Sequence, residues 1–462
     1  MLKHNDIIDI SPYLASETGH RFQKRHATMP WRSSLPVDSS EVASCWLQLL
    51  NTPQAQAAPQ KRLVYVHIPF CETHCTFCGF YQNKFTDSLS EHYVEALINE
   101  ITSEAENPLY SSAPIHAIYF GGGTPTALSA TQLFRIITTL RQVLPVTPDC
   151  EITIEGRVLN FSQDKVDSCI DAGANRFSVG IQTFDSKIRK RLARTSTGEE
   201  AQTFMQSVVA RDQAAVVCDL LFGLPNQTIE SWHRDLQIIQ DIGLDGVDLY
   251  ALNVLPSTAL GKAVTNGRVQ IPSHEQSKAF YLQGCDVLDK AGWQMISNSH
   301  FARTTRERNL YNLLIKQGAD CLAFGSGAGG SINGYSYMLQ RNLTQYIEAV
   351  SQGEKPIMMM TKSLGKQSFW HHQLQAGIEQ GRIDLGEITP FAEKLTPLLS
   401  QWQQCNIIQS DSTLVRLTNE GRFWASHLLT SLQEIIPKLT AHSVLQRHSI
   451  DILNVTECDT AV

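Results

Sequence analysis

The sequence predicts an α/β protein: an open, partial (β/α)6 barrel, preceded by an N-terminal extension and followed by a small helical domain with a hairpin. Two observations carry this expectation. Short β-rich runs recur at Leu63–His67, Ala117–Phe120, Glu151–Glu155, Arg176–Ile181, Val216–Phe222 and Gly246–Ala251, with helical segments near 89–106, 130–142, 162–172, 198–212, 228–241 and 274–290. Six strand–helix units in succession demand a parallel sheet with crossover helices, and right-handed crossovers curl them all the same way. Residues beyond about 361 read helix, helix, hairpin, helix and are set apart. The expected boundaries are 1–60 for the extension, 61–290 for the barrel, 291–360 for a connecting region bearing substrate specificity, and 361–462 for the C-terminal domain. In such barrels chemistry gathers at the C-terminal strand ends.

Composition narrows the class. The 45 acidic and 38 basic residues give a net charge of -7, which offers no electrostatic case for nucleic-acid binding. No run of eighteen apolar residues suggests a membrane span, and Met1–Asp6 lacks the apolar core of a signal peptide. Eleven cysteines, an odd number without a small-scaffold pattern, fit a reducing cytosol, so a cytoplasmic protein is expected. Cys45, Cys150, Cys169, Cys218, Cys285, Cys321, Cys405 and Cys458 read as small buried hydrophobes.

Within the extension, 54–60 reads as a linker, and Arg25–Arg32 combines basic, imidazole and aromatic groups suited to a ligand entrance or to stapling the extension down. The first strand runs into Cys71, Cys75 and Cys78, spaced C-x3-C-x2-C. Three thiolates in one short loop suit a soft metal. A closed zinc site wants a fourth protein ligand, for which His67 or His74 is available, whereas three cysteines leave one iron of a 4Fe-4S cube open. After the second strand, Gly121–Thr126 lets backbone amides approach a ligand closely. Glu155 ends the third strand as a hydrogen-bond acceptor or a surface carboxylate, and Gln182 ends the fourth. The basic run Lys187–Arg194 reads mostly as a solvated helix face. Asp219 is a lone carboxylate in an apolar strand; burying it unpartnered costs several kcal/mol, so it needs a polar partner, from a ligand or from the Gly223–Pro225 turn. Gly325–Gly330 is a permissive turn, and Met358–Met360 reads as core.

The run Tyr65–Cys71 with Cys75 and Cys78 resembles the radical S-adenosylmethionine (SAM) enzymes, and within them the oxygen-independent coproporphyrinogen dehydrogenase-like (HemN-like) family. The resemblance implies a 4Fe-4S cluster on Cys71, Cys75 and Cys78, with SAM seated by Tyr65, Phe77, Gly122, Gly123, Thr124, Glu155, Gln182, Arg194 and Asp219. Arg194 would pair the cofactor carboxylate and Asp219 its ribose. The C-terminal segment is similar to the family's winged-helix-like domain, expected as a lid or docking element. Phe80 stands where the coproporphyrinogen dehydrogenases carry a fourth cysteine, and Arg308–Asn312 lacks the His-Asn-Leu-x-Tyr-Trp run of the family's haem chaperones. Arg25–Trp31, His300–Asn309 and Gly325–Ser331 instead resemble the haem-utilisation members of HutW/ChuW type.

That resemblance implies a radical SAM methyltransferase that opens haem without oxygen, giving a linear tetrapyrrole and free iron. A haem chaperone and a coproporphyrinogen III dehydrogenase are the alternatives. It further implies haem as substrate, with His300, Arg303 and Arg306 suited to its iron and propionates. A flavodoxin-type electron donor and a downstream tetrapyrrole reductase follow as partners, with neither nucleic acid nor membrane. His371, His372, His427, His442 and His448 are further candidate haem ligands.

Overall fold

The computed structural model describes residues 7–17, 21–23, 25, 34–51, 61–364, 366–389, 391–411, 413–439 and 444–446. They fall into two compact units, Met29–Gln380 and Met1–Thr28 with Gly381–Val462. The linker 54–60, all of Arg25–Arg32 but its first residue, His442, His448 and Cys458 lie outside the described residues.

The larger unit contains the six expected strands: β1 (Arg62–Ile68), β2 (Ile115–Gly122), β3 (Val146–Gly156), β4 (Arg176–Gln182), β5 (Ala215–Phe222) and β6 (Gly246–Ala251). Each pairs in parallel with the next. Leu63, Val64, Val66 and Ile68 are all buried, as expected of a parallel strand covered on both faces. The crossovers carry α1 (Asp87–Ala105), α2 (Ala130–Val143), α3 (Gln163–Ala172), α4 (Ser186–Arg191), α5 (Gly198–Val209) and α6 (Ile229–Ile242), with α7 (Ala259–Thr265) and α8 (His274–Lys290) after β6. Reciprocal capping boxes, Ser129 with Gln132, Thr197 with Glu200, Thr228 with Ser231 and Ser273 with Gln276, start α2, α5, α6 and α8. Left-handed Gly173 and Gly243 end α3 and α6.

The sheet extends beyond these six strands. Past β6 come β7 (Gln294–Met295) and β8 (His300–Ala302), with β8 antiparallel to β6. On the other flank β9 (Asp320–Phe324) pairs parallel with β1, and β10 (Gly329–Ile332), β11 (Tyr335–Leu339), β12 (Ile357–Ser363) and the edge strand Ser34–Pro36 follow, completing thirteen strands. The stretch 291–360 therefore continues the barrel sheet on both flanks. Met358 and Met359 are exposed and only Met360 is buried, which corrects the expectation of a methionine core; β12 has strand neighbours but an open outer face. Cys45 is half-buried rather than buried.

In the smaller unit, Ile7–Asp9 pairs parallel with Val444–Gln446, and Arg382–Asp384, Leu414–Leu417 and Ile408–Ser410 form an antiparallel sheet with Leu414–Leu417 central. Helices Thr396–Gln404, Asn419–Phe423 and Ala425–Ile435 surround it. The one helix expected over 419–439 is broken at Trp424, which is fully buried together with Trp402. Trp402 Nε1 donates to the Tyr13 carbonyl at 2.9 Å. Among the described residues no helix is long and apolar enough to cross a membrane.

Candidate active site

The cysteine loop leaves β1 at a fixed angle because both its ends are tied. Phe70–Cys71 pairs with Asn83–Lys84, and the Cys71 carbonyl accepts from Phe85 N at 3.2 Å. Inside the loop, Cys78 N donates to the Cys75 carbonyl at 3.2 Å, and Phe80 N donates to Cys78 Sγ at 3.3 Å. Phe77 packs against the apolar cluster Ile188, Leu192, Leu221 and Leu224. Arg157 Nη1 donates to the Thr73 carbonyl at 3.0 Å, and Cys71 Sγ lies 3.3 Å from Thr124 Oγ1.

The glycine turn after β2 folds back onto this loop. Gly123 N donates to the Ile68 carbonyl at 2.8 Å, and a Cβ there would sit 2.5 Å from the Phe70 carbonyl oxygen. Gly122 has φ +108° and lies flat against the His67 ring, 2.7 Å from a would-be Cβ. Only glycine fits either place.

Registers then bring polar groups from three further strands to the same rim: Glu155 opposite Ser178, Gly180 opposite Asp219. Glu155 accepts from Tyr119 Oη at 2.5 Å, and burial raises its pKa against that bond. Gln182 is held at φ +70°, where the β4–β5 register shifts between Gly180 and Gln182; bulges of this kind re-aim side chains at sites. The Arg194 guanidinium lies 5.9 Å from the Phe77 ring centroid, with a buried Nε that has no partner among the described residues. Burial pulls its pKa down to about 10, so it stays charged at neutral pH. Asp219 accepts from Ser178 Oγ at 3.3 Å. Burial, then the charges of Asp248 and Glu155, push its pKa up to about 7. The Gly223–Pro225 turn is anchored by Gln227, whose Oε1 accepts from Leu224 N at 3.1 Å, and not by Asp219.

These groups line one cavity of about 240 Å³. Its wall includes Cys71, Cys75, Cys78, Phe77, Gly122, Gly123, Thr124, Glu155, Gln182, Arg194 and Asp219, all expected from sequence. Tyr65 is not in the wall; its hydroxyl lies 3.1 Å from His67 Nδ1, one layer behind. The wall also holds His74, named only as a possible zinc ligand, and Thr73, Phe80, Tyr81, Arg157, Ser178 and Gly180, which were not assigned to the site. Strand alternation was the available signal for two of them, since Ser178, Gly180 and Gln182 share a face.

Of the two fourth-ligand candidates for zinc, His74 is engaged within the loop, while His67 has a buried Nε2 with no hydrogen-bond partner among the described residues. His67 packs on Gly122, and His74 Nε2 lies 3.1 Å from the Cys78 carbonyl while its ring stacks on Tyr81. Among the described residues no three donors stand close enough to hold a single ion; the thiols instead ring a cavity. That donor set suits a cluster with one open iron.

His300, Arg303 and Arg306 are not brought to this rim. Because β8 runs antiparallel to β6, with His300 opposite Asp248 and Ala302 opposite Gly246, the chain beyond Ala302 travels toward the N-terminal strand ends. Arg303 donates to the Leu244 and Gly243 carbonyls, both at 2.6 Å, and Arg306 pairs with Asp212 at 2.6 Å. His300 is fully buried, its Nδ1 2.9 Å from Asp248 and its Nε2 3.0 Å from Glu307. Glu307 also receives Arg176 Nε at 2.9 Å. Burial alone would lower the His300 pKa, but the two carboxylates hold it up at about 9. Nδ1 is thus hydrogen-bonded to Asp248, while Nε2 faces Glu307 as an ion pair without hydrogen-bond geometry, and the structure places His300 in a buried charge chain.

A three-cysteine loop at the mouth of a parallel β/α sheet defines the class of radical SAM enzymes, and residues 65–239 match the Radical SAM superfamily. The chain is 60% identical over 442 residues to anaerobilin synthase of Escherichia coli O157:H7, covering 96% of this chain and 99% of that one. It belongs to the HemN-like radical SAM family, in the branch of the anaerobilin synthases. More distant are the heme chaperone HemW of Synechocystis sp., 29% identical over 83% of this chain and 90% of that one, and the solved coproporphyrinogen III oxidase HemN of Escherichia coli. The latter superposes with a TM-score of 0.71 at 23% identity, over 85% of this chain and 93% of that one, and shares the fold. Enzymes of this family work with a 4Fe-4S cluster and SAM.

Proposed function

We propose that the chain is a radical SAM enzyme that opens the haem ring anaerobically, giving a linear tetrapyrrole and releasing iron. The observation that carries this reading is the single cavity uniting three thiols with the cofactor seat, in a chain 60% identical to an anaerobilin synthase. Cys71, Cys75 and Cys78 hold the cluster, and Gly122, Gly123, Thr124, Glu155, Gln182, Arg194 and Asp219 seat SAM. When bound, the two groups together supply a carbon-centred radical and the methyl group.

The chain's own residues orient and shield. Gly122 and Gly123 leave room for the amino acid end of the cofactor against the β1–Cys71 backbone. Arg194 offers its unpartnered Nε to the carboxylate, a planar donor matched to a planar acceptor. Glu155, pinned by Tyr119, and Asp219, pinned by Ser178, present acceptors on the far wall. Tyr65 stands behind His67 and fixes its ring against the glycine turn. Phe80, 74% exposed at the lip, offers an aromatic face to a flat ring. A reduced flavodoxin-type protein supplies electrons, and a reductase acting on linear tetrapyrroles follows. Residues 61–290 serve as the radical SAM barrel, 291–360 as the region bearing substrate specificity, and 361–462 as the docking domain.

Anaerobic incubation with haem, reductant and SAM should bleach the Soret band and yield 5′-deoxyadenosine. A stable Soret band with no 5′-deoxyadenosine overturns the enzyme reading in favour of haem carriage. Conversion of coproporphyrinogen to a decarboxylated product would move it to haem synthesis.

A further inference from the structure

We propose that the exposed face of α4, together with Lys262 of α7, is the docking surface for an acidic one-electron carrier protein that reduces the cluster on Cys71, Cys75 and Cys78. This rests on reading those cysteines as the cluster ligands. The inner face of α4 is spent on the cluster loop, since Ile188 and Leu192 belong to the apolar group against which Phe77 packs. Lys187, Lys190 and Arg191 fall at i, i+3 and i+4, hence on one face, and all three are exposed.

Two helices meet the loop at one residue. Thr76 N donates to the Leu192 carbonyl at 3.3 Å, and Leu260 N of α7 donates to the Thr76 carbonyl at 2.8 Å. Thr76 Oγ1 donates to the Arg191 carbonyl at 3.4 Å. Lys262, also exposed, follows two residues after Leu260. Four exposed cations therefore sit on the two helices bonded to the residue next to Cys75.

Local stability does not account for them. Arg135, Arg211, Arg306 and Arg308 each have a carboxylate partner. Among the described residues Lys187, Lys190, Arg191 and Lys262 have none. The helix dipole favours cations in the last turn, which suits Lys190 and Arg191 but opposes Lys187 in the first. Like charges at this spacing also repel one another. A concentrated positive face in a chain of net charge -7 is matched by an acidic partner, whose encounter it steers. Helices of six and seven residues make too short a stripe for a nucleic-acid backbone. In the transfer the carrier loses one electron and the cluster gains it, with no bond or proton exchanged.

The test uses the reconstituted full chain with flavodoxin as probe, comparing wild type, Lys187→Glu with Lys190→Glu, and the same pair changed to Gln. Binding is measured by calorimetry at low and high salt, and cluster reduction by visible absorbance with reduced flavodoxin or with dithionite. The Glu pair should weaken binding about tenfold or more and flatten its salt dependence, the Gln pair less, with dithionite reduction at the wild-type rate throughout. Unchanged flavodoxin affinity overturns the proposal. So does equal slowing with both reductants, which would place the effect on the cluster, or loss of transfer-RNA binding with flavodoxin unaffected. Failure of the cluster reading itself shows earlier and separately, as wild-type protein that retains no iron and sulfide before any carrier is added.

Discussion

At the scale of single residues, the cavity wall divides by what each group exchanges with the cofactor. Arg194 is charged, desolvated and left with an open Nε. Arg194→Lys should keep the charge and lose the planar fork, so SAM affinity should fall about tenfold while cluster content is unchanged; equilibrium dialysis against iron analysis separates the two. Asp219 carries a pH signature. Its pKa is raised by burial and by Asp248 to about 7, so as an acceptor for ribose hydroxyls it serves best above that value. SAM binding should tighten as pH rises from 6 to 8, and Asp219→Asn should make the profile flat. Much of this wall was named from the sequence, but through the family resemblance as well as strand ends, since Asp219 lies inside β5 and Arg194 beyond α4. The setting of the proposed substrate residues was not legible for a physical reason. Charge and aromatic content at 299–312 are visible in the sequence, but the reversal of β8 that carries Arg303 and Arg306 to the opposite rim is not.

Elements set the geometry that these residues inherit. The two glycines after β2 are a packing requirement of the cysteine loop as much as a ligand site. Gly123→Ala places a methyl 2.5 Å from the Phe70 carbonyl oxygen, and main chain cannot yield as a side chain can. The variant should lose SAM binding and about 1–3 kcal/mol of stability, read by dialysis and thermal melting. Six strands and their crossover helices were readable from period and spacing because each is long enough to show a pattern. The flanking strands β7 to β10 have two to five residues and no alternation to detect. The break at Trp424 escaped for another reason: the apolar pattern runs through it, and only burial of the indole shows why the helix must turn. The larger unit holds the buried pair Arg176–Glu307. Glu307→Gln leaves a guanidinium buried without its counter-charge and should cost roughly 3–5 kcal/mol in denaturant titration.

The whole larger unit is tied across β4, β6 and β8 by one buried charge chain, Arg176–Glu307–His300–Asp248, whose formal charges cancel. Its members titrate at opposite ends of the pH scale. Glu307 is depressed to about 2, with burial working against Arg176 and His300, so its contribution is full above the unfolded carboxyl pKa and lost as pH falls through 2. His300 is raised from 6.5 to about 9; its contribution is full below 6.5 and lost as pH climbs through 9. The chain is therefore strongest between about pH 4.5 and 6.5. The melting temperature of wild type should exceed that of His300→Gln most near pH 6, and the gap should narrow steadily to pH 10. A gap that stays constant across that range would mean that His300 supports the sheet through packing alone and that its charge contributes nothing.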